Sequence, residues 1–441
     1  MPALIFLTPL IVLAFAFRRT PGWLFVAIYL PALPLVPDTF HTTTIGIPKM
    51  SVNEAVIVTI VPFVPARHGA TFRPHFTDLL VAAMATLMCV SEYQAAGYNE
   101  AQNLAFRMFS SAIAPYLCAR LLLPAERLDV PRAKKIVLLT ASIVVVSTFE
   151  FKFDFNPFLA IGGALFPNQG GGWVTTFRHG FARIAGPFAH AILAGMMMAL
   201  AYRLQRWLKW GGHWEPRFAA LPRLPWTKAR CISGLLLLGA LVPLAGRARN
   251  RRRVLLALAA AGLLVLPLAY LGMRSYLEVK PGMALTLSQE SALYRKVLID
   301  EYTDIALDHA MLGWGRNTWP KVASMSSIDN YFPLLSLMHG VWVTLLLLAL
   351  FLWQGVRLFA LGCAAPSSSN SLAFTMAGIL VAVLVSLLTV YLGEQLMPML
   401  FLIFGWSESI VARRPATDAP PAVVGHGADA TARGRVIQAM R

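Results

Sequence analysis

Residues 327–350 read SIDNYFPLLSLMHGVWVTLLLLAL, a short polar opening followed at once by an apolar run. No Asp, Glu, Lys or Arg occurs from Tyr331 to Val356. A helix of roughly 20 apolar residues crosses the hydrocarbon core of a bilayer, so 331–356 is long enough to span one. The whole chain repeats this pattern. Of its 441 residues 57% are hydrophobic and only 13% charged, with a mean hydropathy of +0.62, outside the usual range of soluble domains. Comparable runs lie near 2–17, 21–37, 53–65, 76–93, 104–123, 136–150, 187–207, 231–246, 254–272, 371–391 and 395–411. The expected fold is therefore all-α, a polytopic membrane protein with about eleven or twelve transmembrane helices.

The first run is not followed by the pattern of a removed signal peptide, because Met1–Leu13 contains no basic residue and Arg18 and Arg19 come after it. That order predicts an N-terminus outside and the far end of the helix in the cytoplasm. The net charge of +17 sorts in the same way. The segments 18–19, 66–75, 120–135, 203–230, 247–253, 357 and 413–441 hold 27 of the 38 Lys and Arg residues and are expected on the cytoplasmic side. Anionic membrane lipid, and not nucleic acid, is the partner this bias implies. Strict alternation of every run would place Arg247–Arg253 outside, so 231–246 is expected to be re-entrant or to lie along the membrane. The four cysteines, Cys89, Cys118, Cys231 and Cys363, lack the spacing of a disulfide framework or a metal site. Residues 1–411 then form the transmembrane domain, and 412–441, rich in Ala, Pro, Gly and Arg, a disordered cytoplasmic tail.

This topology leaves two sizeable segments outside, 151–186 and 273–330. In the second, Leu293, Val297, Leu298, Ile305 and Ala306 recur at helical spacing, and Gly313 and Gly315 supply a stop. An amphipathic helix at the membrane surface is expected, with Lys296, Asp300, Glu301, Asp304 and Asp308 on its solvated faces. Arg295, beside Tyr294, sits early in that helix, where a cation opposes the macrodipole unless an anion is near. The first segment ends in GGGWVTTFRHGFARIAGPFAHAILAG, with Arg178 and Arg183 preceding Gly186–Pro187, which is expected to open a membrane helix. Arg183 near free helical N–H groups makes an anion site, or alternatively a residue that snorkels to lipid headgroups. His190, one or two turns into the helix, is expected as a hydrogen-bonded interior residue, with acid–base chemistry as its alternative.

Three blocks, RIAGPFAH (183–190), SALYRKVLIDEYTDIALDHAMLGWGRNTW (291–319) and SIDNYFPLLSLMHGVWVTLLLLAL (327–350), resemble in order and spacing the O-antigen ligase and Wzy-type polysaccharide polymerase superfamily. The resemblance implies a GT-C-like glycosyltransferase in the bacterial inner membrane, multi-pass, its active site facing the periplasm and using neither a nucleotide sugar, a metal nor another cofactor. Its donor would be an undecaprenyl-diphosphate-linked oligosaccharide, and chain-length regulator and export proteins would be possible partners. The family's two functional arginines fall on Arg183 and Arg295, and its polar pair on Asp329–Asn330. Ligases typically carry His-Asn at that pair, and the position after His190 is Ala191 where the family often has proline. The Asp-Asn form resembles exopolysaccharide polymerases more than ligases that transfer O-antigen to lipid A-core.

Under that reading the arginines hold the departing diphosphate, and Asp329 takes the proton of the acceptor hydroxyl. Asp329 and Asn330 are equally suited to cap the helix that follows. Arg178, His190, Tyr294, Arg316, Asn330 and His339 are further candidates for substrate contact, with a loop ion pair as the alternative for Arg316 and proton transfer as a reserve role for His339. Trp173, Tyr294, Trp314, Trp319 and Tyr331 would stack on sugars or form an interfacial aromatic belt. The rival class is a polysaccharide or lipid-linked oligosaccharide transporter, for which an internal repeat or mid-membrane charges would be expected.

Overall fold

The computed structural model describes residues 4–37, 39–42, 48–166, 169, 176–178, 181–214, 241–277, 287–323, 325, 328, 330–364, 372–388, 390–393 and 395–413. Helices dominate it. Four are long and apolar enough to cross a membrane: Phe76–Ala96, Tyr98–Ala125, Asp129–Phe153 and Val341–Ala364. Ile5–Ala16, Pro21–Leu35, Leu372–Leu387 and Met397–Ala412 are shorter apolar helices beside them. Ala191–Trp210 and Arg251–Leu277 add length but end in basic residues. The architecture is that of an all-α membrane protein.

Several expected spans change shape. Residues 331–356 are not one helix, because Gly340 adopts φ +88° and divides Tyr331–His339 from Val341–Ala364. The run 53–65 bends around Pro62 into Val52–Ile60 and Phe63–His68. The helix expected from Pro187 begins at Ala191. Residues 231–240 lie outside the described residues. The segment 151–186, expected as a loop, contains the helix Pro157–Leu165 and a two-stranded antiparallel hairpin, Thr176–Arg178 with Phe181–Arg183.

Met397–Ala412 is the innermost element, with every residue from Met397 to Ile410 buried. A helix that is apolar all round belongs inside a bundle, and this one packs against Tyr98–Ala125, Val341–Ala364 and Leu372–Leu387. Its one carboxylate, Glu408, is fully buried and fully engaged. Glu408 Oε1 meets His75 Nδ1 at 2.6 Å, and Oε2 accepts from Thr77 Oγ1, Gln354 Nε2 and Arg357 at 2.6, 2.7 and 2.6 Å. Burying a charge requires such a set of partners.

That network marks one end of the bundle. Glu126 accepts from Thr20 and Gly22, Asp78 pairs with Arg120, and Asp129 binds Trp406 and Arg413 there. These are the segments in which the basic residues concentrate. Arg247 lies 4.8 Å from the Trp210 ring, and Arg251 donates to the Cys363 carbonyl at 2.8 Å, so both ends of 211–246 sit at this same end.

The opposite end collects 39–54, 91–107, 150–190, 287–340 and 390–398. His41 exchanges hydrogen bonds with Gln169, Glu54 accepts from Ser110, and Ser91 and Glu92 meet the 312–339 region. The described parts of both segments expected outside therefore lie at the end away from the basic one.

Candidate functional site

The first block is held by a buried acid. Glu150, fully buried near the end of Asp129–Phe153, accepts from the backbone N–H groups of Ala185 (3.2 Å) and Gly186 (2.8 Å). Asn156 caps Pro157–Leu165 through its Oδ1 and donates from Nδ2 to the Gly186 carbonyl at 2.7 Å. Satisfying these main-chain groups fixes the chain just after Arg183, which ends the hairpin. The side chains of Arg178 and Arg183 lie outside the described residues, as does Trp173. His190 is not an interior residue. It is exposed and caps Ala191–Trp210, its Nδ1 accepting from Ile192 N–H at 3.2 Å, because a neutral imidazole nitrogen satisfies an orphan donor of the first turn.

The second block forms the expected helix, Leu287–Asp308. Leu298, Tyr302 and Ala306 are buried, and with Ile328, Leu334 and Leu337 they make a small core separate from that of the bundle. Arg295 is exposed and stands three residues before Leu298 and seven before Tyr302, so it continues the same helical stripe toward the N-terminus. Asp300, Glu301, Asp304 and Asp308 are exposed, and Lys296 pairs with Asp300 at 2.6 Å across one turn. Tyr294, Trp314 and Trp319 are partly buried against the small core, and Tyr331 is buried.

The second and third blocks cross each other at two glycines. Trp314 and Gly315 N–H groups donate to the Leu337 and Met338 carbonyls at 2.8 and 2.9 Å, and Val341 N–H donates to Ala310 at 2.8 Å. A Cβ on Gly313 would stand 2.6 Å from the backbone nitrogens of His339 and Gly340, and one on Gly340 would stand 2.6 Å from the Met311 oxygen. Both glycines also have positive φ, +68° and +88°. The turn can lie on the helix break only because neither residue has a side chain. Gly340→Val is expected to destabilise the protein by about 3 kcal/mol or more, from left-handed strain plus a backbone clash. A fall in the thermal unfolding midpoint of the purified chain measures it.

Arg316 closes the crossing. Its backbone N–H donates to Glu92 Oε2 at 3.1 Å, its Nε lies 3.2 Å from Glu92 Oε1, and its terminal nitrogen lies 3.2 Å from Glu100 Oε2. Glu92 is fully buried. Of the two readings open to Arg316, substrate contact and a loop ion pair, the geometry shows the ion pair, which binds the loop to the helices Phe76–Ala96 and Tyr98–Ala125. Ser91 Oγ donates to the Leu312 and Met338 carbonyls and lies 3.3 Å from His339 Nδ1. Burial, with Arg316 adding to it, pushes the His339 imidazole down to about 3, so this ring is neutral at ordinary pH. Being fully buried, it is also out of reach of a bound sugar.

Asn330 is the cap of Tyr331–His339, its Oδ1 accepting from Phe332 N–H at 3.1 Å. The capping role thus falls on Asn330. Asp329 lies outside the described residues. Among the described residues no group of three His, Cys, Asp or Glu side chains is arranged to hold a metal ion. Glu92 and Glu150, which organise the two halves of the site, were visible in the sequence only as single acids near the ends of apolar runs.

No protein-family model matches the chain, and no curated protein matches it.

Proposed function

We propose that the protein is a glycosyltransferase that polymerises lipid-diphosphate-linked repeat units at the periplasmic face of the bacterial inner membrane. The observation that carries this reading is that the first block lies at the same end of the bundle as the crossed second and third blocks, from which the sequence separates it by a hundred residues. Supporting it, the basic segments that favour the cytoplasm lie at the other end.

The reaction joins an acceptor hydroxyl oxygen to the anomeric carbon of the donor and breaks the bond from that carbon to the diphosphate. The hydroxyl proton passes to Asp329, and the bonding electrons leave with the diphosphate. A charge pair 4 Å apart contributes about 4 kcal/mol at an effective dielectric near 20. Roughly 1.4 kcal/mol changes a rate tenfold, so Arg183 and Arg295 serve if they meet the departing diphosphate more strongly than the bound donor. The glycan chain moves onto a new lipid-linked repeat, and its former carrier departs as the free lipid diphosphate.

The test is the purified chain in liposomes supplied with lipid-linked repeat units. A ladder of increasing length is the expected product. Transfer to lipid A-core without a ladder makes the protein a ligase, and transbilayer movement of intact substrate without transfer makes it a transporter.

A further inference from the structure

A second polar site lies at the same end of the bundle, away from the three blocks. It is a cleft of about 210 Å³ whose walls include Tyr29, Lys49, Asn53, Glu54, Arg107 and Gln395. Three of these side chains are buried, with exposures of 1% for Tyr29, 5% for Asn53 and 2% for Gln395, yet each leaves a polar atom without a hydrogen-bond partner: Tyr29 Oη, Asn53 Oδ1 and Gln395 Oε1. Unsatisfied buried polar atoms cost free energy of about 1–3 kcal/mol each, so three on one cleft call for a ligand or water.

The orientation of both amides is fixed. Asn53 donates from Nδ2 to the Val36 carbonyl at 3.4 Å and Gln395 from Nε2 to the Leu33 carbonyl at 3.5 Å. Flipping either amide would set carbonyl against carbonyl, so these long hydrogen bonds favour the orientation that leaves the two oxygens unpartnered. Glu54 adds a carboxylate that already accepts from Ser51 N–H (2.8 Å), Ser51 Oγ (3.1 Å) and Ser110 Oγ (3.0 Å), leaving about one of its four lone-pair positions.

The backbone is unusual at the same place. Tyr29 lies in the π-helical turn Phe25–Tyr29, and Ser110 and Ser111, also on the cleft wall, lie in the π-helical turn Phe109–Ile113. Such turns insert an extra residue into an α-helix and recur at functional sites. Here they bring Tyr29 and the two serines to the wall of one cleft.

Two carbonyl oxygens and a carboxylate need donors, which a diesterified diphosphate, fully ionised at neutral pH, does not carry. A phenol and the two cations of the wall, Lys49 and Arg107, offer donors in return. Hydroxyl groups both donate and accept. A volume of about 210 Å³ holds roughly seven waters at about 30 Å³ each, and falls below the ~300–1,000 Å³ of drug-sized pockets. That space suits one ring and not an extended chain.

We propose that this cleft binds a single neutral sugar ring through Tyr29, Asn53, Glu54 and Gln395. The choice of a sugar among hydroxylated ligands rests on the glycan reading above; the preference for a neutral, hydroxyl-rich ligand rests on the cleft itself. The test uses the full chain in lipid nanodiscs free of glycoside detergent, with a mixture of neutral methyl hexopyranosides as one probe and inorganic pyrophosphate as the other. Saturation-transfer NMR is expected to show saturable sugar binding, weakened about tenfold in Asn53→Leu and in Gln395→Leu. Both variants should stay folded, with an unfolding midpoint lowered by no more than the loss of one long hydrogen bond each, and should keep any pyrophosphate binding. Absence of saturable sugar binding in the wild type, meaning that water alone fills the cleft, overturns the proposal. So does sugar binding unchanged in both folded variants, or pyrophosphate binding lost with the sugar. Loss of pyrophosphate binding in Arg183→Ala or Arg295→Ala bears on the transferase reading alone, so the two can fail separately.

Discussion

Replacing Glu408 by alanine is expected to cost about 3–5 kcal/mol of stability, because it leaves buried cationic and polar partners without their shared acceptor. Arg357, His75, Thr77 and Gln354 all converge on that carboxylate from two other segments of the chain. Glu408→Gln keeps the shape and one acceptor oxygen but removes the charge, and it should fall between alanine and wild type. Thermal unfolding of the purified variants in one detergent provides the comparison. Glu408→Ala with a wild-type midpoint would show that the network does not hold the basic end of the bundle together.

Arg183→Ala and Arg295→Ala are each expected to slow ladder formation by about a hundredfold or more, the scale of losing one preorganised group that stabilises developing charge, about 2.7–4 kcal/mol. Lysine in place of Arg295 should restore part of the rate, since it keeps a point charge but not the planar fork. Arg295 is exposed and outside the small core, so its alanine variant should unfold at the wild-type temperature. That separates a catalytic loss from a structural one. Rates unchanged in both arginine variants would end the proposed mechanism.

The sequence made the membrane class legible, because apolar run length reports directly on bilayer thickness, and the placement of Lys and Arg marked segments that meet at one end of the bundle. It also located the surface helix, whose stripe of Leu298 and Ala306 is buried as the spacing requires. What it missed depends on distant partners. Arg316 stood in a loop with no visible acid nearby, while its partner Glu92 lies 224 residues away in sequence. Glu150, Glu92 and Glu408 looked like isolated acids in apolar helices because their satisfying groups come from other segments. The break at Gly340 was hidden for a different reason. A glycine inside an apolar run gives no local signal that another loop's backbone crosses there. Capping chemistry pointed to the correct helix start but left two neighbours equal, and only the geometry assigned the cap to Asn330.

The central claim is that Arg183 and Arg295 serve one diphosphate on the non-cytoplasmic side. It is tested most directly in a chain whose four native cysteines are replaced by alanine, carrying Arg183→Cys and Arg295→Cys together, in sealed inner-membrane vesicles of known orientation. A short, membrane-impermeant bifunctional thiol-reactive crosslinker should link the two positions within one chain when applied to the periplasmic face. Labelling of the two cysteines from opposite faces, or labelling of both from the periplasmic face without a link, would contradict the account.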